Sequence, residues 1–292
     1  LAGEREAQTN YLYLTYHGQH SDVKPLGKSG VLVLGGGPYH IGSSVEFDWS
    51  CVYTAESLRK FGKKSIIINC NPETVSTDYD MSARLYFEDL SFESVVDIYE
   101  FEKAASVVVS VGGQRPNTIA KKLAGFAIPL LGTSAVDIDR AEDRNKFSRL
   151  CDRLNIKQPP WQSFSRIDEA VKFAQSVGFP VLVRPSYVLS GSSMSACFTS
   201  QQLERFIAMA ANVSAEHPVT ISKYVMHAKE IEVDAVAQGG KLLTCLISEH
   251  VENAGVHSGD STIVYPTQRV YASTEFQLRQ ISKKTIEQDK KF

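Results

Sequence analysis

Apolar residues along this chain fall into two kinds of pattern, in two successive stretches. Val31-Leu32-Val33-Leu34 is a continuous apolar run closed by glycines, as expected of a strand buried on both faces. Val52, Ala55 and Leu58 then recur at helical spacing, and Ile66-Ile67-Ile68 forms a second run. Phe92, Val95, Val96 and Tyr99 predict a second helix and Val107-Val108-Val109 a third strand. Ile119 and Leu123 predict a third helix, and Ile128 to Leu131 a closing strand. Such βα alternation argues for an open parallel sheet over about 110 residues.

After Gly132 the pattern changes. Phe147, Leu150 and Leu154 predict a helix with Glu142 and Asp143 in its first turn, where the dipole favours acids. Val181-Leu182-Val183 reads as a strand followed by a glycine/serine loop, Ser190 to Ser193. Leu203, Phe206, Ile207 and Ala210 read as a helix. Ile231, Val233 and Ala235 alternate with Glu230, Glu232 and Asp234, a strand with one acidic face. Gly239-Gly240 supplies a two-residue hairpin turn into Leu242-Leu243. The fold class expected is therefore α/β, with an open parallel-sheet domain at 28–140 and an α+β domain at 141–292. Residues 1–27 are polar with scattered tyrosines and read as a tail or linker.

Composition narrows the function classes. The chain has 292 residues, 43% hydrophobic and 22% charged, which suits two packed domains and excludes wholesale disorder. Thirty-one basic and 33 acidic side chains leave a net charge of −2. That balance gives no global electrostatic reason to expect nucleic acid or a membrane surface as a partner. Cys51, Cys70, Cys151, Cys197 and Cys245 are scattered and odd in number, suggesting neither a disulfide framework nor a zinc site. With no signal-peptide pattern in the first ten residues, a reducing, cytoplasmic setting is expected. The chain starts at Leu1 and stops at Phe292 inside a helix-like run, so a fragment of a longer protein is expected.

Gly35-Gly36-Gly37 sits where dinucleotide folds place their phosphate loop, but two checks go against that use. The third glycine of G-x-G-x-x-G would fall at His40, and the second strand ends in Asn69 where a ribose-binding acid is expected. A tight turn packing helix on strand is the better reading. Asn69-Cys70-Asn71-Pro72 lacks the carboxylate of a metal-binding E-x-N-P box and reads as loop structure.

The second stretch carries the candidate chemistry. Arg184 ends an apolar strand beside a flexible loop, where a guanidinium can grip phosphate oxygens bidentately. Lys223 offers a second phosphate or adenine-edge contact, and Glu230 opens the next strand. Ser248 to Ser261, SEHVENAGVHSGDS, packs hard oxygen donors and glycines into one segment, able to hold a cation or approach a ligand.

Six blocks make the chain recognisable: GGGPYHIGSSVEFDW (35–49), NCNPETVSTDYD (69–80), SVGGQ (110–114), GTS…DRAEDRNKF (132–147), FPVLVRPSYVLSG (179–191) and SEHVENAGVHSGDS (248–261). In this order they resemble the large component of carbamoyl-phosphate synthetase, specifically its second, carbamate-phosphorylating half, over residues 28–292. The lead-in NYLYLTYHG (10–18) is most similar to animal multifunctional members, which join the synthetase to aspartate transcarbamoylase and dihydroorotase.

The resemblance implies a pre-ATP-grasp domain followed by an ATP-grasp domain cut short at its C-terminus. It implies phosphoryl transfer from ATP to carbamate, with Mg²⁺ or Mn²⁺ and K⁺, in glutamine-dependent pyrimidine synthesis. A glutaminase subunit or domain and the first synthetase half are the implied partners. Arg144 and Arg184 match phosphate ligands with a catalytic part. Lys223, Val225 and Glu230 match positions around adenine and ribose, and Gly255, Val256, His257 and Ser258 a nucleotide-contacting loop. Glu230, His250, Glu252, Asn253, Val256 and Ser261 match a potassium site. The family's magnesium-binding E-x-N motif has no counterpart here, so the isolated piece is expected not to make carbamoyl phosphate. Two other readings stand beside this one: an ammonia-using mitochondrial synthetase, and a non-catalytic nucleotide-binding scaffold with the same fold.

Overall fold

The computed structural model describes residues 11–39, 45–185, 194–213, 219–256 and 260–288. The chain divides into two compact units, 1–144 and 145–292.

In the first unit the apolar runs form a parallel sheet. Its strands are β1 (Tyr11–Leu12), β2 (Gly30–Leu34), β3 (Lys64–Asn69), β4 (Arg84–Phe87), β5 (Ser106–Val108) and β6 (Leu130–Leu131), in spatial order β1-β4-β3-β2-β5-β6. Helices α1 (Glu46–Lys60), α2 (Phe92–Glu102), α3 (Gln114–Gly125) and α4 (Ala135–Glu142) cover it. Strand parity explains the unbroken apolar runs. Leu32, Leu34, Ile66 and Ile68 pack on one face with Val95, Ile98 and Leu123 of α2 and α3. Val31, Val33 and Ile67 pack on the other with Cys51 and Ala55 of α1. Both faces are covered by helices, so apolar residues run on without alternation.

The order places a switch between β2 and β5, where a ligand crevice would open in a dinucleotide fold. Here the protein fills it. A Cβ on Gly112, after β5, would lie 2.4 Å from the backbone oxygens of Leu34 and Gly35, so the two loops touch main chain to main chain. Asn69 fastens the glycine loop: its Oδ1 accepts from Gly37 N at 2.9 Å and Cys70 N at 3.0 Å, and its Nδ2 donates to Ser76 Oγ at 3.0 Å. Asn69 is 1% exposed, so these bonds are made in a dry setting where leaving them unmade is costly.

The second unit takes in α5 (Arg144–Arg153) from Asn145 onward. It continues with an antiparallel sheet in the order β7 (Trp161–Phe164), β10 (Val219–Lys223), β8 (Val181–Pro185), β9 (Ser195–Cys197). Helices α6 (Ile167–Val177) and α7 (Ser200–Val213) pack one face, with Ala170, Ala174, Leu203 and Ile207 against Val181, Val183, Val219 and Ile221. A three-stranded antiparallel sheet follows: β11 (Lys229–Gln238), β12 (Lys241–Asn253) and β13 (Ile263–Val264), with α8 (Ala272–Gln288) packed on β12 and β11. Gly239 and Gly240 both take positive φ, 56° and 71°, as the tight β11–β12 hairpin requires.

Several sequence expectations are corrected. Tyr11–Leu12, within the expected tail, is an edge strand paired with Leu85 and Tyr86. Glu142 and Asp143 are not the first turn of a helix: Glu142 ends α4, and Asp143 caps it with extended backbone, ψ 105°. One extended residue thus splits the expected helix, and α5 begins at Arg144. Helix α6 went unread although Ala170, Val171, Ala174 and Val177 recur at helical spacing. The Ser190 to Ser193 loop lies outside the described residues. Among the described residues no helix is long and apolar enough to cross a membrane.

Candidate functional site

Strand register decides where the candidate residues face. Arg184 on β8 lies opposite Thr220 on β10, which lies opposite Ser163 on β7. All three belong to the face turned away from α6 and α7, because Val183 and Val219 take the helix side. Ser163 and Thr220 share a hydroxyl hydrogen bond of 2.9 Å, and Ser163 donates to Asn145 Oδ1 at 2.9 Å. Arg184 is half-buried on this polar face, which α5 reaches through Asn145, and a guanidinium there suits an anion.

Lys223 stands opposite Val181, so it has the other parity. Its Nζ donates to Gly178 O at 2.8 Å and Phe179 O at 3.1 Å, the carbonyls that end α6 and enter β8. The fold therefore does not bring the Lys223 ammonium and the Arg184 guanidinium onto one face. Val225 follows Tyr224 out of β10 and is 52% exposed. Arg144 is the exposed first residue of α5.

The third sheet gathers the oxygen-rich segment. Ile231 pairs with Glu249 and Lys229 with Asn253, so β12 spends extra residues opposite Glu230. This bulge sets Glu230 across from 250–252. His250, 3% exposed, meets Glu232 instead: Nε2 lies 3.1 Å from Glu232 Oε2. Glu252 Oε2 accepts from Ser261 Oγ at 2.7 Å and Thr262 N at 2.8 Å. Those donors, the serine hydroxyl first, hold its carboxyl down at about 2. Glu249, 4% exposed, pairs with Lys229 and accepts from Gln268 N at 2.7 Å and Arg269 N at 3.0 Å. Lys229 above all lowers its pKa. Asp234 is pushed up by burial and by Glu232 beside it. Gly255 takes φ +111°, and a Cβ there would lie 3.6 Å from the Tyr224 hydroxyl. Val256 bridges to Ala254, while His257 and Ser258 lie outside the described residues.

Of the six residues matched to a potassium site, Glu252 and Ser261 are brought together. His250 is engaged with Glu232, and Asn253 is paired with Lys229 in the ladder. No group of three or more His, Cys, Asp or Glu among the described residues is arranged to hold a metal ion. Sequence reading missed Glu232, Glu249 and Lys229 as organisers of this segment. The signal for Glu232 was present, since it shares the acidic face of β11 with Glu230.

Comparison with known proteins places these elements. Residues 27–140 match a family model described as the carbamoyl phosphate synthase preATP-grasp domain. Residues 143–290 match one described as the carbamoyl-phosphate synthase L chain, ATP binding domain. The mitochondrial ammonia-type carbamoyl-phosphate synthase of Mus musculus is 52% identical over 92% of this chain, which spans 18% of that protein. The arginine-specific large chain of Eremothecium gossypii is 54% identical over 97% of this chain, which spans 25% of it. The multifunctional protein pyrABCN of Emericella nidulans is 50% identical over 97%, with 12% of its length covered. The chain therefore corresponds to a minor part of each relative.

Among solved structures, the biotin carboxylase domain of Hydrogenobacter thermophilus 2-oxoglutarate carboxylase, bound to MgADP, ADP and bicarbonate, superposes with TM-score 0.68. It is 16% identical and covers 89% of this chain and 58% of that one. D-alanyl-alanine synthetase A of Vibrio cholerae gives 0.61 at 19% identity, over 89% and 80%. At that identity the likeness establishes the fold alone, a parallel-sheet domain followed by an ATP-grasp-like domain. With both family models matched in order and about half its residues shared with each of these relatives, the chain belongs to the carbamoyl-phosphate synthase large-chain family.

Proposed function

We propose that the chain supplies the arginine-bearing part of the second ATP site of a glutamine-dependent carbamoyl-phosphate synthase, which phosphorylates carbamate for pyrimidine synthesis. One observation carries this reading: Arg184 sits on the polar face of a sheet, turned away from α6 and α7, inside the segment matched by the ATP-binding family model. In the reaction a carbamate oxygen attacks the γ-phosphorus of ATP and ADP leaves. Charge on the transferring group is what a protein can stabilise in such a step. Arg184 does so with a planar, always-charged fork suited to phosphate oxygens, and Arg144 is its second cation. Val225 and the Gly255–Val256 backbone border the base and ribose, where Gly255 allows close main-chain approach. Bound Mg²⁺ would neutralise part of the charge on the phosphates.

The lead-in NYLYLTYHG supports the glutamine-dependent, multifunctional type, with aspartate transcarbamoylase and dihydroorotase domains on the same polypeptide and a cytoplasmic location. Identity to the ammonia-using mitochondrial type is as high, 52%, which keeps that type as the second reading. In the intact polypeptide, Arg184→Ala should lower ATP formation from carbamoyl phosphate and ADP by about 10²–10³ fold, the scale of losing one transition-state charge partner. An unchanged rate overturns the role. Carbamoyl phosphate formation that proceeds with ammonia but not glutamine overturns the glutamine-dependent type.

A further inference from the structure

We infer that Lys223 is a positioning residue that clamps the α6–β8 turn, and that it acts on nucleotide binding through the strand it anchors. The inference rests on the ATP-site reading above. Four observations carry it. First, Lys223 shares strand parity with Val219 and Ile221, whose side chains lie in the core beneath α6 and α7. Arg184 and Thr220 have the opposite parity. An ammonium on the helix side of the sheet is not placed for the phosphates that Arg184 faces.

Second, the ammonium already has partners. It donates to Gly178 O at 2.8 Å and Phe179 O at 3.1 Å. Gly178 is the C-cap of α6, with φ +76°, so these are carbonyls at the negative end of the helix dipole. A lysine there is favoured both as donor and as charge.

Third, the backbone repeats the clamp. Lys223 N donates to Pro160 O at 2.9 Å and Tyr224 N to Pro180 O at 3.1 Å. The end of β10 is thus tied to the approach to β7 and to the approach to β8, and the lysine side chain adds a tie to the turn between α6 and β8.

Fourth, the anchored parts lead directly into the candidate site. Arg184 follows Val181, the partner of Lys223, by three residues on β8. Val225 lies two residues beyond Lys223. Tyr224, between them, bonds Pro180 O through its backbone and has its hydroxyl toward Gly255. Loosening the turn would shift the register of Arg184 and the base-bordering backbone together, without removing any ligand contact.

The experiment uses the intact polypeptide with Lys223→Met and Lys223→Arg. Hydrogen exchange without nucleotide is read on peptides spanning 178–184 and 220–226. Lys223→Met should raise exchange there about tenfold or more, the scale of losing hydrogen bonds to a charged donor, and Lys223→Arg should restore most of it. Unchanged exchange in Lys223→Met overturns the clamp. ATP formation from carbamoyl phosphate is then measured with ADP and with 7-deaza-ADP, which lacks the N7 acceptor. A positioning role predicts the same fold increase in KM for both nucleotides in Lys223→Met. A penalty seen with ADP and absent with the deaza analogue means that the ammonium reads the base, and overturns the inference. If the wild-type polypeptide forms no ATP, the ATP-site reading fails, while the exchange result still decides the clamp.

Discussion

Ser261 donates its hydroxyl to Glu252 Oε2 at 2.7 Å, and Thr262 N reaches the same oxygen at 2.8 Å. One carboxylate therefore closes the connection between β12 and β13.

The closure should depend on pH with a defined sign. Glu252 is held at about 2 against an ordinary value of 4.5, chiefly by the Ser261 hydroxyl. A carboxyl depressed on folding stabilises fully above its unfolded pKa and loses that contribution as pH falls towards its folded one. Protection of the Thr262 amide, its exchange relative to the intrinsic rate at each pH, should accordingly be steady above about 4.5 and fall towards about 2. In Ser261→Ala the carbon-detected titration of Glu252 should move up. A Glu252 that titrates at its ordinary value in the unaltered protein contradicts the closure.

A buried carboxylate ties β4 to the end of α2 and to the approach to β2. Glu102 is 0% exposed and takes Arg84, the Tyr86 hydroxyl and Leu26 N, the last at 2.8 Å. Burial and this carboxylate push the Tyr86 phenol above its ordinary value. Arg84→Leu should destabilise the first unit by about 3–5 kcal/mol, because it leaves a buried charge without its partner. Denaturant unfolding measures this. A loss below about 1 kcal/mol would place the pair among inert surface contacts.

Gly112 and Asn69 test whether the crevice at the β2/β5 switch is filled by protein. Gly112→Ala forces a Cβ to 2.4 Å from two backbone oxygens that no rotamer change can move. It should cost about 1–3 kcal/mol or more, read as a lower unfolding midpoint. Asn69→Asp supplies the acid that a dinucleotide site would use. It should still produce no NADH fluorescence enhancement, because Asn69 serves Gly37 and Ser76, not an open pocket.

Glu249 and Lys229 should matter to the oxygen-rich segment although neither matches a ligand position. Glu249 holds Gln268 N and Arg269 N as well as Lys229, which also reaches Arg269 O. Glu249→Gln should increase protease cleavage at 265–271 while α6 and α7 stay intact. Equal resistance of both proteins to limited proteolysis would refute the tether.

The chain pattern by itself determined four of the six strands of the parallel sheet, β2, β3, β5 and β6, the two-sided burial of Val31 to Leu34 and Ile66 to Ile68, and the hairpin at Gly239-Gly240. Each depends on short-range periodicity or on backbone freedom, which neighbouring residues carry. That His40 and Asn69 depart from the dinucleotide motif was equally legible. Tertiary structure alone decided the rest. One extended residue at Asp143 separates α4 from α5, and Tyr11–Leu12 becomes a strand because β4 offers it an edge. His250 meets Glu232 because the two are diagonal neighbours on one face of the β11–β12 ladder, whereas the three acids on that face, Glu230, Glu232 and Asp234, looked equivalent in sequence. Lys223 shows the limit most clearly. Its residue type suits a phosphate site, but one step of strand parity turns it to the helix side and onto the end of α6. Register is set by pairing between distant segments, and it decides which face a charge serves.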